Sequence, residues 1–339
     1  MAVICENDDC LNRTDCVTIA LERRNLMKSV CVIGGANIDV CGASLEPLRN
    51  FDSNPGTITV SYGGVGRNIA QICALLQERV RFVTCFSCDS YGELMKKDCE
   101  MLGMDTSLSK VVSGVPSSMY VAILDEDHDM RVAISDMRIL REMDTKMLEK
   151  VMYELDEDDM IIIDANLDME SIRYVLDHAP CPVAADPVSV SKASRFTDQI
   201  EKISIFKPNR FEAEAMTGIS IKDEESAVAC LKWYLNRGVR EVMISLADQG
   251  VLLGTEDMCL WMKHRTIHLD NATGGGDTML GAYVTRRLHG IYPSQALSYA
   301  VTAAVDTIEK DSFRRRSLEP EAIVEQIESM NIKEKILCM

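Results

Sequence analysis

Asn271-Ala-Thr-Gly-Gly-Gly-Asp-Thr-Met-Leu-Gly281 places three consecutive glycines and an acid immediately before an apolar helical pattern. Because glycine has no Cβ, a ligand can closely approach the N–H groups of Gly274, Gly275 and Gly276. The free N–H groups and the dipole of a helix start attract anions. Asp277 in the first turn would lie beside such an anion, where it could remove a proton from a hydroxyl. For this motif alone, a capping acid after a glycine-rich turn is the commoner interpretation.

The composition is that of an acidic globular protein. The chain has 339 residues, of which 47% are hydrophobic, and a formal net charge of −17. Such a charge argues against nucleic acid as a partner. No apolar run reaches the roughly 20 residues of a membrane span, which argues against a membrane protein. Thirteen scattered cysteines without a secretory signal predict a cytoplasmic protein with reduced thiols.

Short apolar runs alternate with helical patterns along most of the chain. This alternation predicts an α/β fold with a mostly parallel central sheet and helices on both faces. Further alternating runs do not fit the rhythm and predict a small separate β-sheet that acts as a lid over the substrate, with strands from about 40–62 and 115–136. Residues 30–339 are assigned to this one domain, and residues 1–29 to an N-terminal extension of unknown role. The predicted strands of the central sheet are 30–34, 80–86, 160–164, 182–186, 203–206 and 240–246.

Polar side chains stand at or after the ends of several predicted strands, and those ends meet at one edge of an open α/β sheet. The residues concerned are Asp39, Asn166, Asp186, Asn209 and Asp277. Their convergence predicts a single site. Asp39, just past the first strand, could accept hydrogen bonds from two sugar hydroxyls, although a turn aspartate is an equal alternative.

A second glycine-rich turn, Tyr62-Gly-Gly-Val-Gly-Arg-Asn68, also runs into a helix. It matches neither the dinucleotide fingerprint nor the P-loop. Close backbone approach together with Asn68 suits recognition of hydroxyl groups, and Arg67 would add a planar fork of donors.

Lys207-Pro-Asn-Arg-Phe-Glu212 places an amide and a carboxylate three residues apart at a helix start. Asn209 and Glu212 would face one way and suit a hydrated Mg²⁺, which proteins hold with few ligands plus substrate phosphates. A capping box would explain the same pair, and the motif alone favours it.

Five motifs, taken in order, resemble the ribokinase-like (PfkB) sugar and nucleoside kinases. They are Gly35-Ala-Asn-Ile-Asp39, Gly63-Gly-Val-Gly-Arg-Asn68, Asn209-x-x-Glu212, Ser245-Leu-Ala-x-x-Gly250 and Thr273-Gly-Gly-Gly-Asp277. Each motif is weak alone, but the ordered set is specific and extends from about Val30 to the C-terminal helices. The resemblance implies a ribokinase-like fold, ATP and Mg²⁺ as cofactors, and a small molecule as phosphate acceptor.

A closer resemblance within the family is to kinases of C-glycoside nucleosides. It implies phosphorylation of the ribose 5′-hydroxyl. The residues that carry it are Asp52-Ser-Asn-Pro-Gly56, the run at 64–70, Ser135-Asp-Met137, Asp164-Ala-Asn166, Asp186-Pro-Val-Ser189 and Lys207-Pro-Asn-Arg210.

The resemblance also implies a role for each motif. Asp277 would be the base, and the backbone of Gly274, Gly275 and Gly276 would stabilise the transferring phosphoryl group. The implied substrate contacts are Asn37, Asp39, Gly63, Gly64, Arg67, Asn68, Ser118 and Asn166. The implied nucleotide contacts are Lys207, Asn209, Ser245, Ala247, Gly250, Thr273, Val301 and Ala304. Asn209 and Glu212 would act on Mg²⁺ through water and phosphate.

Some positions depart from the family pattern. Ala247 stands where glycine is usual, and Asn271 replaces an aspartate that helps bind a monovalent cation in some relatives, which counts against potassium activation. The lid often pairs two subunits in relatives, so a homodimer through the lid is expected. Another nucleoside or pentose kinase on the same fold remains open, as does a non-catalytic nucleoside sensor. The intact Asp277 and glycine run argue against the sensor.

Overall fold

The computed structural model describes residues 28–265, 274–310 and 317–338. The assignment of residues 1–29 as an extension lies almost entirely outside this part of the chain and stays a prediction. Ser29 is described and buried; its N–H and its hydroxyl both donate to Asp159 at 2.7 Å. Among the described helices, none is long and apolar enough to cross a membrane.

The secondary structure follows a repeated strand–helix order. The strands are β1 (Val30–Ile33), β2 (Asn37–Ser44), β3 (Gly56–Gly63), β4 (Val80–Val83), β5 (Cys85–Ser87), β6 (Met104–Asp105), β7 (Lys110–Val112), β8 (Met119–Leu124), β9 (Met130–Asp136), β10 (Met160–Asp164), β11 (Val183–Asp186), β12 (Ile205–Phe206), β13 (Glu241–Ser245), β14 (Val251–Gly254), β15 (Cys259–Lys263) and β16 (Lys333–Cys338). The α-helices are α1 (Val65–Leu75), α2 (Ser90–Met101), α3 (Thr145–Tyr153), α4 (Met169–His178), α5 (Val190–Ala193), α6 (Arg210–Thr217), α7 (Glu224–Leu235), α8 (Gly275–Leu288), α9 (Pro293–Glu309) and α10 (Pro320–Ser329).

The central sheet has the strand order β16-β15-β14-β13-β12-β11-β10-β1-β4-β6. Seven neighbouring strands, from β6 to β13, are parallel, and β14, β15 and β16 extend the sheet as antiparallel strands. The carboxyl ends of the parallel strands therefore meet at one edge, where an open α/β sheet binds ligands.

Two apolar layers cover the sheet. Along β1, Val30 and Val32 contact the layer that contains α1, α8 and α9, whereas Cys31 and Ile33 contact the layer that contains α3, α4 and α7. All four side chains are fully buried. A strand buried on both faces reads as a continuous apolar run, which is why this strand was predictable. The mostly parallel sheet with helices on both faces is confirmed.

A separate four-stranded sheet, here called the lid, has the order β3-β2-β8-β9. β2 pairs antiparallel with β3 and parallel with β8, which in turn pairs antiparallel with β9. The predicted small second sheet is thus present. The predicted lid strands start at about residue 40, whereas in the structure β2 starts at Asn37, because the chain continues from Ala36 directly into pairing with β3.

The structure divides the single strand predicted at 80–86 into two. The hydroxyl of Ser109 accepts the N–H of Thr84 at 3.0 Å, and the N–H of Lys110 donates to the Thr84 carbonyl at 3.0 Å. Beyond this point the chain leaves the central sheet, and β5 pairs with β7 instead. The division depends on a partner more than twenty residues away, which the local apolar pattern does not contain.

Candidate active site

The starts of two helices meet at the carboxyl edge of the sheet. Gly274 has a left-handed φ of 87° and caps α8, which begins at Gly275. Asp277 lies in its first turn and accepts a hydrogen bond from Nδ2 of Asn68, in the first turn of α1, at 2.8 Å. The first N–H groups of a helix have no acceptor within it. The predicted acid, the glycine run and the second glycine-rich turn are therefore brought together.

The carboxyl group of Asp277 has an unusually high proton affinity. Burial and, to a smaller extent, the carboxylate of Asp186 raise its pKa to about 7, although the hydrogen bond from Asn68 and the charge of Lys207 partly oppose the rise. A base whose pKa lies near neutral pH combines a populated ionised form with a strong drive to accept a proton. The environment of Asp277 thus suits proton removal from a hydroxyl.

Lys207 is a buried cation surrounded by carboxylates. Its Nζ pairs with Asp186 at 3.0 Å, and the lysine is only 4% exposed. Burial lowers the pKa of Lys207, but attraction from Asp186, Asp277 and Glu212 outweighs it and raises the pKa overall. Nζ also lies 3.3 Å from where a Cβ on Gly276 would stand. A permanent positive charge therefore lies beside the glycine run.

Asn209 and Glu212 form a capping box at the start of α6. The Glu212 N–H donates to Oδ1 of Asn209 at 3.0 Å, and the Asn209 N–H donates to Oε2 of Glu212 at 2.8 Å. Asn209 also bridges to Ser245 at the end of β13, which brings two of the predicted nucleotide contacts together. Burial and the nearby Asp186 raise the pKa of Glu212. The capping interpretation is confirmed, and it leaves Oε1 of Glu212 outside the box.

The carboxylate of Asp164 holds two turns in place, the one that contains Gly35 and the one that contains Gly66. At the end of β10, its Oδ2 accepts the N–H groups of Gly35 at 2.8 Å and Gly66 at 2.7 Å, and its Oδ1 accepts the N–H of Asn166 at 2.7 Å. Burial raises the pKa of Asp164, and these backbone donors oppose the rise. A side chain on Gly34 would collide with this carboxylate. One buried acid therefore sets the positions of three site segments.

Asn37, Asp39, Gly63 and Gly64 form one cluster. The amide of Asn37 donates to Oδ1 of Asp39, and a side chain at Gly63 would overlap the Asp39 carboxylate. Gly64 has a φ of 100° and approaches the backbone at Gly35, so neither glycine tolerates a Cβ. Burial raises the pKa of Asp39, while the Asn37 hydrogen bond and the charge of Arg67 lower it. The cluster presents a carboxylate and backbone atoms, which suits sugar hydroxyls.

Arg67 does not offer its donors to the cleft. Its guanidinium pairs with Asp98 of α2 and donates to Oε1 of Gln71 at 3.1 Å, and the residue is 1% exposed. The assignment of Arg67 as a substrate contact is therefore corrected, because a buried ion pair uses the fork that was expected to bind the ligand. Its remaining influence on the cleft is the positive charge felt by Asp39.

Ser118 and Asn166 each approach the segment that contains the cluster, at Ile38 and at Gly35 respectively. Ser118 is 2% exposed, and its hydroxyl has no hydrogen-bond partner among the described residues, while its carbonyl accepts the N–H of Ile38 at 2.9 Å. Nδ2 of Asn166 lies 2.9 Å from where a Cβ on Gly35 would stand. Oδ1 of Asn166 accepts from Lys192 at 2.6 Å. Lys192 was not predicted as a site residue, since it lies far from every glycine-rich motif in the sequence.

The remaining predicted nucleotide contacts fall into three groups. Ala247 and Gly250 belong to the turn after β13, where both have positive φ, 52° and 97°. Val301 and Ala304 are 1% and 4% exposed and pack in the apolar layer around α9, so their side chains can form at most the floor of a nucleotide site. Thr273 lies outside the described residues.

Direct metal ligands do not gather anywhere in the described ranges. No group of three or more His, Cys, Asp or Glu side chains among residues 28–265, 274–310 and 317–338 could hold a metal ion. Asp164, which was not among the residues predicted to converge on the site, and Asp186, which was, stand at the ends of adjacent paired strands. Their position at strand ends was the available signal.

The fold and this site define a sugar-kinase architecture, and comparison with known proteins agrees. Residues 27–319 match the model of the pfkB family carbohydrate kinases, so the chain belongs to that family. Its members are phosphotransferases that act on hydroxyl groups.

Among the similar proteins, the pseudouridine kinase of Escherichia coli is 32% identical over 273 residues, covering 80% of this chain and 87% of that protein. The structure of a Thermotoga maritima ribokinase superposes with a TM-score of 0.78 at 21% identity, covering 89% of this chain and all of that one. An Arabidopsis thaliana ribokinase complexed with ribose and ATP gives a TM-score of 0.73 at 18% identity, with 88% and 100% coverage. These two structural likenesses concern the fold alone.

Proposed function

We propose that the protein is a pseudouridine kinase that transfers the γ-phosphoryl group of ATP to the ribose 5′-hydroxyl, producing pseudouridine 5′-phosphate and ADP. The observation that carries the kinase chemistry is the contact at 2.8 Å between Asn68 and Asp277, which joins a hydroxyl-binding turn to an acid at an anion-binding helix start. The choice of acceptor is supported by the 32% identity to a pseudouridine kinase.

In the proposed reaction, Asp277 accepts the proton of the 5′-hydroxyl. The oxygen forms a bond to the γ-phosphorus while the bond from that phosphorus to the bridging oxygen breaks, and ADP leaves with the electron pair. The N–H groups of Gly274, Gly275 and Gly276 stabilise the negative charge on the transferring phosphoryl group. Such positioning and electrostatic stabilisation account for most catalysis of phosphoryl transfer.

Lys207 supplies a local positive charge in a strongly acidic protein. The chain carries a formal charge of −17, which repels a nucleoside triphosphate. Nζ of Lys207 lies beside Gly276 and is held there by Asp186. We assign Lys207 to the phosphates at the point where the acceptor and the nucleotide meet.

The charges around Lys207 also fit a divalent cation. Asp186, Glu212 and Asp277 are carboxylates that meet one lysine, and burial raises the pKa of Glu212 and Asp277. A bound Mg²⁺ would offset this excess of negative charge and neutralise charge on the phosphates. Glu212, with the Oε1 that the capping box leaves outside, and Asn209 would act on it through water and phosphate. Asn271, on which the expectation about potassium depends, lies outside the described residues.

The acceptor sugar is assigned to the cluster at the base of the lid. Asp39 and Asn68 would bind ribose hydroxyls, with Asn37 orienting Asp39 and with Gly63 and Gly64 allowing close approach. The unpartnered buried hydroxyl of Ser118 supports a further contact. The nucleotide is assigned to the turn from Ser245 to Gly250, which the bridge to Asn209 connects to the phosphate region.

The outer face of the lid supports a homodimer. Two cross-strand rows on one face are apolar apart from one glycine, and exposure reaches 75% at Ile58 and 69% at Ile134. Contiguous exposed apolar area of this kind marks an interaction surface. A second copy would cover it, since the opposite face carries Asp39. The rows are Ile58-Gly42-Ile123-Val132 and Val60-Val40-Val121-Ile134.

An acceptor panel tests the proposal. ADP release and product mass are measured with pseudouridine, uridine, cytidine, adenosine and D-ribose at equal concentrations with ATP and Mg²⁺. We expect kcat/KM for pseudouridine to exceed that for uridine and ribose by at least about tenfold, since buried polar groups that lose their partners discriminate strongly. A preference for ribose or another nucleoside would show that pseudouridine is not the main acceptor. Binding without turnover would indicate a sensor.

A further inference from the structure

A cavity of about 630 Å³ opens between the end of lid strand β9 and the loop that follows β10. Ser135 lines its lid side, and Asn166 lines its floor. Its charged lining comprises four basic and two acidic side chains, in contrast to the acidic chain as a whole. These are Arg138, Arg141, Lys192, Arg195, Asp136 and Asp168.

Two observations connect this cavity to the sugar cluster. Ser135 pairs with Tyr120, and Tyr120 pairs with Asp39, so the three residues share one face of the lid sheet. On the other side, Asn166 reaches the backbone of Gly35, at the start of the cluster. A substituent on the sugar, at the end opposite the hydroxyl beside Asp277, has room to extend into the cavity.

The structure also fixes which groups of Asn166 face this space. Lys192 can only donate, so the oxygen of the Asn166 amide must be the atom 2.6 Å from Nζ, and the amino group points the other way, toward Gly35. The Asn166 N–H is held by Asp164, and the carbonyls of Ala165 and Leu167 accept from Arg195 at 2.8 and 2.6 Å. The loop is thus rigid and presents donors.

We propose that this cavity is the subsite for the base of the nucleoside and that Lys192, together with Asn166, selects a base that presents carbonyl oxygens, such as a dioxopyrimidine. The inference rests on the proposed function. Lys192 has donors beyond the one given to Asn166, and the amino group of Asn166 adds two more. Adenine has no carbonyl and offers only ring nitrogens as acceptors, at positions that differ from those of carbonyl oxygens, and a substrate that lacks a base would not use these donors.

The test is the effect of Lys192→Met on two acceptors in the same preparation. We expect kcat/KM for pseudouridine to fall at least about tenfold, because the base loses a charged donor, and kcat/KM for D-ribose to change less than twofold. Lys192→Arg, which keeps the charge and donors, should retain most of the activity toward pseudouridine. Lys202→Met is the matched control, because Lys202 pairs with Asp177 at the surface.

The outcomes separate this inference from the proposed function. In one outcome, the wild-type enzyme phosphorylates pseudouridine while Lys192→Met lowers kcat/KM for neither acceptor or lowers it equally for both. That result overturns the subsite assignment while the proposed function stands. If the wild-type enzyme phosphorylates ribose but no nucleoside, the proposed function fails and the subsite fails with it. Thermal unfolding of each variant identifies a loss of folding, in which case Lys192→Arg decides the question.

Discussion

Asp277 depends on its neighbours for its proton affinity. It is buried near Asp186 and Asp164, whose charges oppose its ionisation, and only one hydrogen bond and one lysine favour it. Such competition among carboxylates is common at catalytic sites, where a pKa near the working pH is useful. Two predictions follow from this residue alone, one for turnover and one for pH.

Asp277→Asn should lower kcat by at least about 100-fold, because an amide cannot accept the hydroxyl proton. Nucleoside and nucleotide affinity, measured by calorimetry, should change little. The raised pKa means that the unfolded chain ionises first, so ionisation of Asp277 opposes folding as pH rises from about 4 to 7. The variant should therefore be at least as stable as the wild type at pH 8. Near-normal turnover would refute the role of Asp277, and Asp198→Asn at the surface serves as control.

The pH profile is the second prediction. Since Asp277 acts in its ionised form and burial raises its pKa to about 7, kcat/KM for the nucleoside should fall about tenfold per unit as the pH decreases below 7. Steady-state rates between pH 5 and 9 measure this limb. A profile that stays flat from pH 8 down to pH 5.5 would contradict the assignment.

Ala247 carries a local strain that the family's usual glycine would not. Its φ of 52° lies in the left-handed region, which costs alanine about 1 kcal/mol. Ala247→Gly removes this strain but increases the entropy of the unfolded chain, so the net gain in the free energy of unfolding should be about 0.5 kcal/mol. Urea denaturation measures it. Ala179→Gly, at an ordinary φ of −59°, should instead lose about 0.5–1 kcal/mol; equal losses in both variants would contradict the strain.

At the scale of elements, the start of α1 packs against the ends of β1 and β10 without room for a side chain. A Cβ on Gly66 would lie 2.8 Å from both Oδ2 of Asp164 and Cα of Gly34. Glycine is otherwise unfavourable inside a helix by about 1 kcal/mol. Two opposite effects therefore compete at Gly66.

Gly66→Ala should lower the free energy of unfolding by about 2 kcal/mol, because overpacking against backbone outweighs the gain in helix propensity. It should also lower kcat/KM, since the same contact positions the turn that leads to Asn68. Thermal and urea unfolding with parallel kinetics provide the measurement. An increase in stability of about 1 kcal/mol would show that propensity dominates and that the turn can move.

At the scale of the whole molecule, the lid carries Asp39 on one face and two apolar rows on the other, with Ile58 and Ile134 exposed in the described chain. Ile134→Asp should convert the proposed dimer to a monomer, because a charge buried in an apolar interface loses its hydration. Light scattering after size exclusion measures the change. Val324→Asp, at a 51% exposed position on α10, should leave the mass unchanged. The dimer proposal is wrong if the wild-type protein is monomeric at micromolar concentration.

Local patterns predicted the helices and strands whose partners are adjacent in sequence, and also the strands that are buried on both faces. β1 and β10 are continuous apolar runs, and the glycine-rich turns that start α1 and α8 are visible as strings of letters. Arg67 shows the limit of this approach. Its position within the Gly63–Asn68 motif suggested that it binds the substrate. Its partner Asp98, however, is 31 residues away and belongs to another helix.

The sequence by itself determined the alternation of strands and helices, the glycines that admit a close ligand, and the acid that follows them, because each depends on neighbours along the chain. Only the tertiary structure decided the rest: that Asp164 holds two turns at once, that Arg67 is buried, and that Lys192 lies against Asn166. These contacts join residues between 26 and 129 positions apart. Burial and charge at such distances come from packing, which no local pattern records.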